Sequence, residues 1–163
     1  MLIGVVSDTH NNLKNINKII SLFNDEKVDM VVHTGDITNT KSLEKFKALN
    51  CRLIGVFGNN DRTELNLKEC AKDNDFSFQE PPYLFEEENK QIAIFHEPDL
   101  IDSYLKKNNN IDIVLHGHTH RYRLQHIRNT LVFNPGESAG MIEGSNAIGI
   151  VDLRSLLTRT IFF

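Results

Sequence analysis

Cysteine is scarce in this chain. Its two copies, Cys51 and Cys70, lie far apart and show no CxxC or Cys/His spacing. That excludes a disulfide framework and a thiolate zinc site, and leaves both residues as small buried or half-buried hydrophobes. Basic charge is also short: 18 Lys and Arg against 22 Asp and Glu give a formal net charge of −4. A broad nucleic-acid footprint needs a basic face, so strong nucleic-acid binding is not expected. A small phosphate ester stays admissible, because bound metal ions can supply positive charge locally. No apolar run approaches the roughly 20 residues of a membrane helix. Met1 leads straight into Leu2-Ile3-Gly4-Val5-Val6, without the basic region and long apolar core of a secretory signal. A cytoplasmic protein with no membrane partner is the expectation. Linkers, repeats and low-complexity segments are missing as well. The 163 residues suit one domain, 1–163, able to bury roughly 70% of the surface its unfolded chain exposes.

What is present is a rhythm of strand and helix. Leu2 to Val6 reads as a buried strand, and Leu13, Ile16, Ile19, Ile20 and Phe23 fall on one face of a helix. Met30 to Val32 is the next strand. Leu43, Phe46 and Leu49 mark a second helix with Asn39 or Thr40 as N-cap, and Leu53 to Phe57 a third strand. Leu65, Leu67, Cys70 and Ala71 suggest a third helix. Such alternation implies parallel pairing through right-handed crossovers. Tyr83 to Phe85 and Gln91 to Phe95 then flank a polar turn, Glu86 to Lys90, as a hairpin. A helix through Leu100, Ile101, Tyr104 and Leu105 follows Pro98, with a polar exit at Lys106 to Asn110. Runs at 112–116, 122–127, 131–133, 146–152 and 157–162 read as strands joined by short turns such as Arg128-Asn129. The pattern calls for an α/β domain with two packed sheets.

The informative feature is what ends each apolar strand. Val5-Val6 runs into Ser7-Asp8-Thr9-His10, Val31-Val32 into His33-Thr34-Gly35-Asp36, and Val56-Phe57 into Gly58-Asn59-Asn60-Asp61. Ile94-Phe95 runs into His96, Val114-Leu115 into His116-Gly117-His118-Thr119-His120, and Val132-Phe133 into Asn134-Pro135-Gly136. In α/β sheets the carboxyl ends of strands line the ligand crevice, so these groups should converge. Each piece alone has an ordinary explanation: Asp8 and Asp36 as turn or helix caps, His10 or His96 as surface histidines, Gly58 to Asn60 as a tight turn. Together they form a donor set. Asp8 and Asp36 are anionic oxygen ligands, His10, His96, His118 and His120 are imidazoles, and Asn59 offers an amide oxygen. That is more than one catalytic ion uses while keeping positions open for water and substrate, and it suits two ions sharing a carboxylate. Without thiolates, the set favours Mn, Fe, Ni or Zn.

Asp8-x-His10, Gly35-Asp36, Gly58-Asn59-x-Asp61, His96 and Gly117-His118-x-His120, in that order, resemble the motifs of the calcineurin-like metallophosphoesterases. The short chain and the Asn59-Asn60 pair are similar to the small single-domain phosphodiesterases of bacteria and archaea. The resemblance implies a four-layer αββα sandwich with two mixed β-sheets. It also implies hydrolysis of a small phosphodiester by a hydroxide bridging two divalent ions. One ion would take Asp8, His10, Asp36 and His120, the other Asp36, Asn59, His96 and His118, with Asp36 shared. Asn60 and Asp61 would be the catalytic pair; Asp61 and His33 stand beside ligands as orienting groups, and Asn134 and Gly136 shape the wall.

Two positions depart from the larger relatives. Asn60 stands where many have histidine, and an amide donates a hydrogen bond but is no general acid near neutral pH, which implies a preference for good leaving groups. His96-Glu97-Pro98 replaces the His-Gly-His of many small relatives, and a Glu97 facing the pocket would repel an anionic ester. A phosphomonoesterase or nucleotidase using the same site, and an interaction scaffold like the one this fold provides in retromer, are the alternatives. The sequence is also compatible with a homo-oligomer.

Overall fold

Alternation along the strands decides how this chain layers. The computed structural model describes residues 1–163. Its elements begin with β1 (Leu2–Val6), α1 (Leu13–Asp25), β2 (Met30–His33), α2 (Thr40–Lys45), β3 (Arg52–Val56), α3 (Leu67–Asp73) and β4 (Ser77–Gln79). They continue with β5 (Tyr83–Glu87), β6 (Lys90–Ile94), α4 (Ile101–Lys107), β7 (Ile113–Leu115), β8 (Arg123–Ile127), β9 (Thr130–Asn134), β10 (Ala147–Asp152) and β11 (Leu157–Phe162). One sheet runs β11-β10-β1-β2-β3-β4, the other β5-β6-β7-β9-β8. Both are mixed: β1 to β4 are parallel with β10 and β11 antiparallel at one side, and β6, β7 and β9 are parallel between antiparallel β5 and β8.

Successive side chains on a strand point to opposite faces. Ile3, Val5, Met30, Val32, Ile54 and Val56 therefore meet Ile92, Ile94, Ile113, Leu115, Leu131 and Phe133 between the two sheets. The residues between them, Val6, Val31 and Leu53, turn outward to α1, α2 and α3 through Ile16, Ile19, Phe23, Leu43 and Leu67. Ala93, Val114 and Val132 do the same for α4 through Ile101 and Leu105. Three apolar interfaces separate four layers, helix–sheet–sheet–helix, as the resemblance implied. α1 has Ile16, Ile19, Ile20 and Phe23 buried along one stripe, and its N-cap Asn12 accepts a hydrogen bond from Asn15 N–H at 3.1 Å. Each such burial is worth roughly 1.5–3 kcal/mol, so packing rather than intrinsic propensity holds the helix.

The structure departs from the sequence pattern locally. α2 has Asn39 as its N-cap, but its helix tightens into a 3-10 turn at Phe46–Ala48. Leu65 is exposed, because α3 starts only at Leu67, after Asn66 turns left-handed at φ 65°. α4 runs on through Lys107, taking up the start of the expected exit loop. β4 is absent from the sequence reading. It is a three-residue edge strand paired in parallel with β3, and so short an edge carries little apolar pattern. No helix is long and apolar enough to cross a membrane.

Candidate active site

The parallel strands β1, β2 and β3 of one sheet and β6, β7 and β9 of the other end at the same edge of the sandwich. Backbone bonds tie their loops together: Asp8 N–H donates to Gly35 C=O at 3.1 Å, His10 N–H to Asp36 C=O at 2.9 Å, and Gly117 N–H to His96 C=O at 3.1 Å. Asp8, His10, Asp36, Thr38, His118 and His120 all hold positive φ, between 44° and 72°. Non-glycine residues seldom take this left-handed region, and such strain gathers at functional sites where surrounding structure enforces it. Gly35, at φ +107°, is required for a second reason: a Cβ there would lie 2.6 Å from His96 Nδ1.

Every residue expected as a ligand reaches this edge. Asp8 is fully buried. Its Oδ2 accepts from the Ser7 hydroxyl and from His118 N–H at 3.0 Å, while its Oδ1, 3.6 Å from His120 Nε2, has no hydrogen-bond partner. Asp36 stands between the two flanks. Its Oδ1 accepts from Asn60 N–H at 3.0 Å and lies 3.4 Å from His96 Nε2; its Oδ2 accepts from Asn60 Nδ2 at 2.6 Å and lies 3.9 Å from His10 Nε2. Asn59 Oδ1 sits 2.9 Å from His96 Nε2 and 3.0 Å from His118 Nδ1. Ligand atoms of Asp8, His10 and His120 lie within 4.8 Å of one another, and so do those of Asp8, Asp36 and His96.

The cluster is built for cations. His96 Nδ1 lies 2.8 Å from Thr34 C=O; a carbonyl only accepts, so Nδ1 carries a proton and Nε2 is the ring atom aimed at Asn59 Oδ1 and Asp36 Oδ1. Two oxygens gathered on one ring nitrogen call for a positive charge there, supplied by a proton on the imidazole or by a metal ion in its place. The buried, unpartnered Asp8 Oδ1 and His10 Nε2 make the same demand on the other flank. Ionisation follows the same logic. Burial raises the Asp8 carboxyl, against the Ser7 hydrogen bond and the nearby His96 and His120. Burial acts the same way on Asp36, but His96 and Asn60 outweigh it and hold this carboxyl well below the usual carboxylate range. Burial lowers His96, yet Asp36 and Asp8 bring it above its ordinary value.

The neighbours of these candidate ligands act on loops. Asp61 is buried and accepts four backbone N–H groups: Ile37 at 2.8 Å and Thr38 at 2.7 Å on Oδ1, Asp36 at 2.8 Å and Gly58 at 2.8 Å on Oδ2. Asn134 Nδ2 donates to Gly117 C=O at 3.1 Å and Thr119 Oγ1 at 3.2 Å, while its Oδ1 accepts from Gly136 N–H at 2.9 Å, so it holds the His118–His120 turn from beneath. Glu137 was not singled out in the sequence. It is fully buried, accepts from Ala139 N–H at 2.9 Å and Ile142 N–H at 2.8 Å, and places Oε2 3.7 Å from His120 Nδ1, on the side away from Asp8. At 3.7 Å the approach is a charge contact rather than a hydrogen bond, and it places a buried carboxylate behind the His120 ring. The signal available was a glutamate straight after Asn134-Pro135-Gly136, which carries no strand-end pattern of its own.

His33 accepts Gly35 N–H at Nδ1 (3.1 Å), which leaves its Nε2–H for Thr9 Oγ1 at 3.0 Å. Burial pushes it down from 6.5 to about 3. The unfolded chain therefore takes up a proton near pH 6.5 that the folded chain refuses, and stability is lost as pH falls from 6.5 toward 3. In chelator-treated protein, the stability advantage over His33→Gln is expected to shrink by about 1.4 kcal/mol per pH unit across that window. Urea midpoints of both proteins at several pH values check this; a pH-independent gap would contradict it.

Comparison with known proteins agrees with this geometry. The calcineurin-like phosphoesterase superfamily domain matches residues 1–156. A Methanocaldococcus jannaschii protein named a phosphodiesterase is 37% identical over 155 residues, covering 93% of each chain. The solved structure of an archaeal phosphodiesterase superposes with a TM-score of 0.90 at 35% identity, covering 100% of both chains. A zinc complex of Vps29 from Entamoeba histolytica shares the fold alone, with a TM-score of 0.70 at 16% identity over 100% of this chain and 98% of that one. The chain thus belongs to the calcineurin-like phosphoesterase superfamily, the family whose motif order its strand ends follow.

Proposed function

We propose that this protein is a metal-dependent phosphodiesterase acting on a small substrate in the cytoplasm. The observation that carries the reading is Asp36, whose two oxygens face His96 on one flank and His10 on the other. In this reading Asp8, His10, Asp36 and His120 hold one divalent ion, and Asp36, Asn59, His96 and His118 hold a second. Mn, Ni, Fe and Zn all suit such a donor set. When bound, a pair of ions of this kind lowers the pKa of a coordinated water and offsets charge on the phosphoryl oxygens.

The chain's own residues prepare that chemistry. Asn59 adds a ligand oxygen without another negative charge. Asn60 spends one amide hydrogen on Asp36 Oδ2; the amide has two, and the second is free for an ester oxygen, which makes Asn60 a catalytic donor but no acid. Asp61 has both oxygens occupied by backbone, so it works as a positioning residue for the 36–38 and 58–61 loops rather than on substrate. Glu137 does the same for His120.

The test is chelator-stripped protein reconstituted separately with Mn, Ni, Fe and Zn, assayed on bis-p-nitrophenyl phosphate and p-nitrophenyl phosphate. Turnover with at least one metal, none in chelator, and the diester faster than the monoester are expected. Silence with all four metals would reject the enzyme and favour a scaffold. A faster monoester would make it a phosphatase.

A further inference from the structure

The two loops that bring Asn59 and His96 to the cluster go on to wall a pocket that metal binding leaves unused. After Asn59, Asn60 and Asp61 comes Arg62; after His96 come Glu97 and Asp99. These side chains, with Pro82, Phe95 and Leu100, line an open pocket of about 280 Å³ with His96 on its wall. Three larger hollows, of about 330, 470 and 560 Å³, include none of the candidate ligand residues, and two of them lie against α3. Across the pocket, Arg62 Nη2 and Glu97 Oε2 are 3.5 Å apart, with side chains 52% and 39% exposed.

We propose that this pocket receives one substituent of the phosphodiester. In it, Glu97 and Asp99 select a compact, uncharged or cationic group and turn away one that carries a further anion. The inference rests on the phosphodiesterase reading and names its substrate class. Position comes first: a phosphorus held beside His96 directs one of its ester arms into the space that shares that wall. Size limits the arm, since about 280 Å³ falls just below the roughly 300–1,000 Å³ of pockets that hold a whole small molecule. Pro82, Phe95 and Leu100 give it apolar surface. Charge decides its identity. Arg62 is the one guanidinium or ammonium on the wall and is engaged by Glu97, so the wall's own side chains carry two carboxylates against one cation, a negative balance distinct from the charge of the ions that His96 would help hold. A second phosphate or a carboxylate in this arm would meet unbalanced negative charge, whereas hydroxyl, amine or ammonium groups would find acceptors. A polynucleotide, with an anion at every step, is the wrong substrate.

Three diesters with a common p-nitrophenyl leaving group test this on the metal-loaded enzyme: the choline ester (cationic arm), the 3,3-dimethylbutyl ester (neutral, same shape) and the 3-carboxypropyl ester (anionic). Ratios of kcat/KM within one preparation cancel differences in metal loading. The choline ester is expected to exceed the carboxypropyl ester by about 10-fold, with the neutral ester between, and mostly through KM. That is the scale of one or two unit-charge contacts at a wet surface. Glu97→Gln should shrink the ratio about 5-fold, and Arg62→Gln, which frees Glu97, should widen it by a similar factor. Both side chains are partly exposed, so both variants should fold, and a merely structural pair would not move the ratio in opposite directions. Turnover of all three esters with a ratio near one, or a ratio that neither variant shifts, overturns the subsite alone. Failure to hydrolyse any of them overturns the phosphodiesterase reading and the subsite with it.

Discussion

Asp36→Asn is expected to lower kcat/KM for an aryl phosphodiester by about 10³-fold, the scale on which a preorganised electrostatic contact at the reacting centre is felt. Asp36 is the carboxylate that faces both flanks, with its charge stabilised by His96 and by Asn60. Asparagine keeps the size and one acceptor oxygen, so the backbone bond from Asn60 can survive. It loses the charge, and its NH₂ replaces an oxygen on one flank. Metal content should fall together with activity while the far-ultraviolet circular dichroism stays that of the native fold. A variant that retains both its metal and its rate to within tenfold would show that Asp36 is not shared between two ions.

Asp61→Ala is expected to reduce stability by about 4 kcal/mol, measured as a urea midpoint in chelator so that metal binding does not mask the loss. The four backbone N–H groups that Asp61 accepts belong to Asp36, Ile37, Thr38 and Gly58. A buried donor left without an acceptor costs about 1–3 kcal/mol, and the costs do not simply add when groups share a network. Against a total of about 5–15 kcal/mol for a domain, such a loss brings the fold near its threshold. Burial raises the Asp61 carboxyl while the N–H groups of Gly58, Thr38 and Asp36 favour its charge, so Asp61→Asn should lie between alanine and the native residue: the amide oxygen accepts two N–H groups, but its NH₂ confronts the others. A loss below about 1 kcal/mol for alanine would mean that the loops hold without this carboxylate, contrary to the expectation for a buried network.

Much of this site was legible because the chain writes its layers as alternation and its candidate ligands as interruptions. Val5-Val6 before Asp8 and Val114-Leu115 before His118 say where a buried strand stops, and parallel strands must stop on a common edge. Whatever depended on partners distant in sequence was not legible. Glu137 is 17 residues from His120 and declares itself only through the 3.7 Å approach of their side chains. Asp61 had two expected roles, catalytic partner and orienting neighbour, and only the fold shows the four backbone N–H groups, from Asp36, Ile37, Thr38 and Gly58, that occupy its oxygens. The positive φ values at Asp8, His10, Asp36, His118 and His120 have no signature in residue type beyond the tolerance of Asp and His for that region. β4 and the exposed Leu65 escaped for a simpler reason: a three-residue edge strand and a left-handed Asn66 override weak periodic patterns. Glu97 could be flagged as a departure, but only the fold shows it lining a pocket opposite Arg62.

The most direct test of the two-metal reading is a titration of chelator-stripped protein with Mn, in which bound metal and bis-p-nitrophenyl phosphate hydrolysis are followed in the same samples. Two ions per chain are expected, with full turnover reached only as the second is taken up. Saturation at a single ion, or hydrolysis that persists without metal, would contradict it.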